Sequence, residues 1–339
     1  MIASTTTSPI PVRATDGYYH LAYELLLTGL SAPIDVQRLE VRDASNHRVL
    51  LSLTGAALAA DMNPIGSAHG PASAPTTIGD SQEWIVWLDV RIRKQQQLPR
   101  ALEHRVAGLI TPPGAGAARG SYVVARVGVR RQAPVVLSPP VGPGIWVSDE
   151  GCCSDPTHHR RGLFVVDGKV SVSQRFAIDW MRLDQRHRAW VGDPPPLGPL
   201  PKPPLAQAEG NHVTIQIGPG QYVLYGHLER RSIRARVGQH VHRGQLLGRI
   251  GNSGNSSTPH THIQVQSSPD TVSSDGLPFV FDRFYFAGQI TDEFDDENLG
   301  LRPTGLLAFA PAHRAGPRLR EMPLDRNVLR LLNPRLGHP

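Results

Sequence analysis

Tyr222-Val-Leu-Tyr-Gly-His-Leu228, Val237-Gly-Gln-His-Val-His-Arg-Gly-Gln-Leu-Leu-Gly248 and Gly251-Asn-Ser-Gly-Asn-Ser-Ser-Thr-Pro-His-Thr-His-Ile-Gln-Val-Gln266 follow one another in a chain of 339 residues. The first and last segments are predicted strands, and the glycines between them mark turns. Side chains on a strand alternate faces with period two. His260 and His262 therefore share one face, while Thr261, Ile263 and Val265 share the other. The apolar set can enter a core while two imidazoles, with His227 from a neighbouring strand, converge on one point. Imidazole is the commonest metal ligand and the acid/base of neutral pH, so the trio is read as functional in origin. His240 and His242 are read as ordinary surface or core residues.

Tyr225-Gly-His-Leu228, the glycine-punctuated hairpin 237–248, the Gly251-Asn-Ser-Gly-Asn-Ser256 turn and Pro259-His-Thr-His262 resemble the lysostaphin/LytM-type zinc metallopeptidases, which share a duplicated hybrid motif. The resemblance is specific over about 210–266 and weaker over about 145–290, and it leaves out the first 130 residues. It implies an antiparallel β domain that cuts peptide cross-links of bacterial peptidoglycan. It further implies zinc held by a His-x-x-x-Asp motif and by the second His of His-x-His. Carried over, His262 matches a metal ligand, and His260 and His227 match the pair that acts on the scissile carbonyl and the attacking water. Asp179, in Gln174-Arg-Phe-Ala-Ile-Asp-Trp180, matches the Asp ligand.

Four positions before Asp179, where the family has His, stands Arg175. A catalytic zinc takes three protein ligands and keeps a fourth position for water. Arginine has no lone pair to donate and stays protonated. Its planar fork suits a carboxylate, so an Arg175–Asp179 ion pair in the metal's place is expected, with zinc binding and activity reduced or lost. His158 or His159, in Thr157-His-His-Arg-Arg161, is the alternative source of the missing ligand. The plain reading of that run is a solvated basic loop. A third reading leaves weak metal binding to Asp179 and His262 alone.

A second departure lies in Asp193-Pro-Pro-Pro-Leu-Gly-Pro-Leu-Pro-Lys-Pro-Pro-Leu205, where the family carries a further strand pair. Proline cannot donate to a sheet ladder, so 194–204 reads as an extended, Pro-rich loop.

With 40% hydrophobic and 19% charged residues the chain is globular and long enough for two domains. Its 33 glycines and 31 prolines favour short strands and turns over long helices. The formal charge of +6 suits an anionic partner such as cell-wall polymer. No basic-aromatic stacking platform appears, so nucleic acid is not the expected partner. Cys152 and Cys153 are adjacent, which rules out a framework of several disulfides and reads as a thiol pair. No apolar run is long enough to span a membrane, and the first residues lack the pattern of a signal peptide. The resemblance nevertheless implies an extracytoplasmic location, whether secreted, periplasmic or at the wall.

The expected fold class is mainly β. Residues 1–16 read as a flexible N-terminus, and 17–132 as an immunoglobulin-like β-sandwich of short strands separated by turns. Within it only Gly55–Ala60 has helix-forming density. A Pro-rich linker follows at 133–145, then the lysostaphin-type domain at 146–290 and a C-terminal extension at 291–339. Two functions remain at this level. One is a zinc endopeptidase acting on wall peptides. The other is a catalytically inactive module that binds the wall or regulates another wall hydrolase.

Overall fold

The computed structural model describes residues 1–66, 76–153, 157–189, 203–204, 207–293 and 305–332. The chain divides into two units, Met1–Arg13 with Gly17–Ala133 and Ala14–Asp16 with Pro134–Pro339. Both are mainly β, as the spacing of apolar residues predicts. No described helix is long and apolar enough to cross a membrane.

The first unit is built from β1 (Ile2–Thr5), β2 (Val12–Arg13), β3 (Tyr18–Thr28), β4 (Ile34–Asp43), β5 (Val49–Thr54), α1 (Gly55–Ala60), β6 (Met62–Pro64), β7 (Thr77–Ile78), β8 (Glu83–Arg93), β9 (Ala101–Ile110) and β10 (Ala118–Gly128). One sheet runs β1-β3-β8-β6 with β2 beside β3, and the other runs β10-β9-β4-β5 with β7 beside β4. Period-two alternation sends Leu21, Tyr23, Leu25 and Leu27 of β3 into the same core as Val86, Leu88 and Val90 of β8. Leu39, Val41, Leu102 and Val106 close that core from the second sheet. In β4 a register shift between Val36 and Arg38 restores the inward phase for Leu39. The N-terminus departs from the flexible segment expected at 1–16. Ile2–Thr5 pairs antiparallel with the outer edge of β3, from Ile2↔Thr28 to Thr5↔Leu25, which satisfies backbone groups that would otherwise face water.

The second unit contains β11 (Val135–Leu137), β12 (Gly144–Asp149), α2 (His158–Arg161), β13 (Phe164–Val166), β14 (Lys169–Ser171), β15 (Ile178–Leu183), β16 (Val213–Gly218), β17 (Gln221–Tyr225), β18 (Thr261–Gln266), β19 (Phe279–Ile290), β20 (Phe309–Glu321) and β21 (Asn327–Leu331). Its main sheet runs β11-β19-β21-β12-β15-β18-β17-β16 with β20 beside β19, and β13 and β14 form a separate hairpin. Two boundaries differ from the expected ones. The linker 133–145 contributes β11, which pairs parallel with β19. The C-terminal extension supplies β21, inserted between β12 and β19, with Val328 and Leu329 fully buried. The aromatic strand β19 packs inward, with Phe281 edge-on to Trp180 at 5.3 Å. Cys152 and Cys153, read as thiols, are joined in a disulfide. Apart from Pro203 and Pro204, the loop expected at 194–204 lies outside the described residues.

Candidate metal centre

The centre forms where β15, β18 and β17 lie side by side. Asp179, the second residue of β15, stands directly across from His262 on β18, so the two side chains share a face. His262 Nδ1 lies 2.9 Å from Asp179 Oδ1. His260 enters β18 from an isolated bridge to Gly251, and its Nε2 lies 3.4 Å from Asp179 Oδ2. His227 leaves the end of β17 with φ at 58°, a left-handed conformation uncommon outside glycine. The surroundings hold it there. Its N–H donates to the Glu209 carbonyl at 2.9 Å and its ring Nδ1 donates to the Ser253 carbonyl at 2.8 Å. Its ring centroid sits 4.6 Å from that of His260 and 5.8 Å from that of His262.

Of the two histidines of α2, the structure brings His159 to this point. Thr157 caps the helix by accepting the Arg160 N–H at 3.2 Å. His159 is buried, donates from Nδ1 to the Glu150 carbonyl at 3.0 Å, and places Nε2 3.5 Å from Asp179 Oδ2. His158 is exposed and pairs with the Glu150 carboxylate. One ligand atom each from Glu150, His158, His159 and Asp179 lies within 4.8 Å of the others. Residues 157–161 are therefore not a solvated basic loop.

Arg175 is elsewhere. It is fully buried in the turn before β15, where Nη1 donates to the Gly276 carbonyl at 2.9 Å and Nη2 lies 3.6 Å from Asp275 Oδ1. The expected Arg175–Asp179 pair does not form, and among the described residues the ion-pair partners of Asp179 are His159, His260 and His262. Gly276 makes this route available. It approaches so closely that a Cβ there would lie 2.6 Å from the Ser173 carbonyl oxygen.

Hydrogen bonding fixes which ring nitrogens face the carboxylate. A carbonyl only accepts, so the Nδ1 atoms of His159, His227 and His260 carry protons directed at Glu150, Ser253 and Thr258. Their Nε2 atoms are left for the site. His262 is turned the other way round: Nε2 lies 2.7 Å from Gln264 Oε1, and Nδ1 faces Asp179. Burial pushes His159 well below the ordinary histidine range and, with the neighbouring imidazoles, brings His227 down to about 3. Both are neutral. Burial alone would raise the Asp179 carboxyl, but the imidazoles around it, His260 foremost, hold it well below the usual range. Burial also opposes charge on His262, yet the bond to Asp179 outweighs it and raises the imidazole.

One atom in this set stands out. Among the described residues His159 Nε2 is a buried lone pair with no hydrogen-bond donor, and it faces a carboxylate oxygen. Two acceptors turned toward each other in a buried site repel unless a cation lies between them. In a tetrahedral site with metal–ligand bonds of about 2.1 Å, ligand atoms lie about 3.4 Å apart. The 3.5 Å between His159 Nε2 and Asp179 Oδ2 fits two ligands of one zinc, and imidazole and carboxylate are among the donors zinc takes.

His227 and His262 open onto a cleft of about 130 Å³, with Phe164, Gln174, Glu209 and Asn255 on its walls. Sequence reading overlooked the polar residues that aim the rings. Gln264 and Gln266 continue the alternation that singled out His260 and His262, so their signal was present. Ser256, whose Oγ lies 3.2 Å from His260 Nδ1, carried none.

The family model of Peptidase family M23 matches residues 202–274. That span holds His227, His260 and His262 and ends short of Asp179, Arg175 and His159 on its N-terminal side. It agrees with the lysostaphin/LytM-type resemblance of the same strands. No curated protein matches the chain significantly.

Proposed function

We propose that the second unit is a zinc-dependent endopeptidase directed at the peptides of bacterial peptidoglycan, with His159 in the ligand role that Arg175 cannot fill. The observation that carries this reading is the orphaned Nε2 of His159 facing Asp179. His159 Nε2, Asp179 and His262 Nδ1 would hold the metal. Zinc bound there would lower the pKa of a water molecule and polarise the scissile carbonyl.

The chain's own residues do the rest. His227 lines the cleft and is neutral, with Nδ1 committed to the Ser253 carbonyl and Nε2 left over. It is suited to take or return a proton at that atom. His260 presents Nε2 beside Asp179 while Thr258 holds its other nitrogen, so it orients whatever binds between them. Gln264 keeps His262 turned so that Nδ1 points inward. Substrate of this class places the unit outside the cytoplasm, and the first unit then serves as a spacer or wall-binding module.

Elemental analysis of the purified chain tests this directly. Near-stoichiometric zinc is expected, lost in His159→Ala as completely as in His262→Ala, together with release of peptide from cell-wall sacculi. Zinc retained in full by His159→Ala would remove His159 from the ligand set. No zinc at millimolar supply and no peptide release would favour an inactive wall-binding or hydrolase-regulating module.

A further inference from the structure

The segment between His227 and His260 leaves the sheet as a hairpin arm, 229–250. Its base is closed by the bridge Leu228↔Ile250 and by Glu229 N–H donating to the Arg249 carbonyl at 2.9 Å. Its far end carries two matched turns, 236–239 and 242–245. In each, Gln donates its N–H to the carbonyl three residues back and accepts that residue's N–H on its side chain. The arm holds six arginines, at 230, 231, 234, 236, 243 and 249, against the single acid Glu229. Six positive charges less one negative give +5, nearly all of the chain's formal +6.

Two of these arginines are matched, Arg243 by Asp282 and Arg249 by Glu229 at 3.7 Å. Among the described residues no carboxylate pairs with Arg230, Arg231, Arg234 or Arg236, and all four are exposed. Arg230, Arg231 and Arg234 surround a recess of about 280 Å³ at the base of the arm, together with Arg249 and Glu229. Like charges gathered this closely repel one another, and an anion relieves the repulsion. The guanidinium fork matches phosphate oxygens in pairs. The arm contains no Phe, Tyr or Trp on which a nucleobase could stack. Arg230, Arg231, Arg234 and Arg249 gather at the base, away from the exposed apolar Val237 of the far turn, which disfavours insertion into a lipid surface.

We propose that the arm 229–250 is a docking site for a linear, phosphodiester-linked polyol polymer of the cell wall, held by Arg230, Arg231, Arg234 and Arg236. The choice of a wall polymer rests on the peptidase reading, but the binding does not require the metal. Because the arm is bracketed by His227 and His260, a polymer held there keeps the cleft against the wall between turnovers.

The test is binding of the full chain, stripped of metal with EDTA, to poly(glycerol phosphate) at low salt. Arg230→Glu/Arg231→Glu/Arg234→Glu is expected to weaken binding by about tenfold or more, and added salt to weaken wild-type binding steeply. Arg119→Glu/Arg126→Glu/Arg130→Glu, an equal charge change on exposed residues of the first unit, is expected to leave it within about twofold. An equal loss in both variants would show that net charge acts without the arm. Absence of wild-type binding, or tighter binding to duplex DNA or phosphatidylglycerol vesicles than to the polymer, overturns the assignment. Because no metal is present, failure here leaves the peptidase reading intact, and loss of zinc from His159→Ala leaves this one intact.

Discussion

Both units bury a neutral histidine whose Nδ1 donates to a backbone carbonyl, and the two differ at the other nitrogen. In the first unit His104 donates to the Ala125 carbonyl at 3.2 Å and accepts from the Tyr23 hydroxyl, 2.7 Å from Nε2. Nothing is left over. In the second unit His159 donates to Glu150, but its Nε2 meets a carboxylate oxygen instead of a hydroxyl. Residue type and burial are the same in both places. What separates a core histidine from a candidate ligand is whether the second lone pair has been given a donor.

Removing the carboxylate should break this contrast most severely. Asp179→Asn is expected to abolish zinc binding and to lower kcat/KM by about 10³-fold or more, since a catalytic metal supplies several kcal/mol. Zinc content and peptide release from sacculi measure both. His104→Gln should leave both unchanged. If Asp179→Asn keeps its zinc, Asp179 is not a ligand, and the carboxylate that faces His159 Nε2 does not mark the metal site.

The first unit should instead show its histidine as a dependence of stability on pH. Burial above all brings His104 down to about 4, while an unfolded chain titrates near 6.5. Between those values the unfolded chain holds a proton that the folded chain refuses. Stability is therefore fully present above about 6.5 and declines as pH falls toward 4, by on the order of 3 kcal/mol. Urea unfolding of the first unit across that window, followed by its tryptophans, checks the slope. Tyr23→Phe removes the donor to Nε2 and should cost about 1–3 kcal/mol at neutral pH.

The contrast also explains what could be read before the fold was known. His260 and His262 were legible because strand alternation is local, and Asp179 because the family motif marks it. The cross-strand pairing of Asp179 with His262 spans 83 positions, and no local pattern encodes it. His159 was visible only as one of two substitutes. Choosing it required knowing that α2 turns one imidazole inward and leaves the other exposed beside Glu150. The strand β21 went unread for a similar reason: five residues in a Pro- and Arg-rich tail give little signal until β12 and β19 flank them. Residues 2–5 were likewise read as loose, because an edge strand is defined by its partner.

Arg175→His sharpens the comparison within the second unit, setting the inherited ligand position against the one now facing Asp179. The guanidinium bonds Gly276 and approaches Asp275 from a fully buried position. An imidazole is too short to keep both contacts, so stability should fall by about 2 kcal/mol, measured as the urea midpoint of the second unit. Zinc content should not rise. A gain in zinc affinity would mean that position 175 still addresses the metal, and the case for His159 would fail.

The smallest effect is expected at Ser256. Its Oγ donates to Asn252 Oδ1 at 2.6 Å and lies 3.1 Å from the Thr258 carbonyl, beside the bond by which His260 is held. His260 keeps its own bond to Thr258 at 2.8 Å when that hydroxyl is removed. Ser256→Ala should therefore lower kcat by only about 10-fold, the low end of the range for residues that orient others, and leave zinc content and KM as they were. A loss as deep as that of Asp179→Asn would mean that the hydroxyl, rather than the Thr258 carbonyl, fixes the tautomer of His260. His260 would then depend on a side-chain partner, as His104 depends on Tyr23.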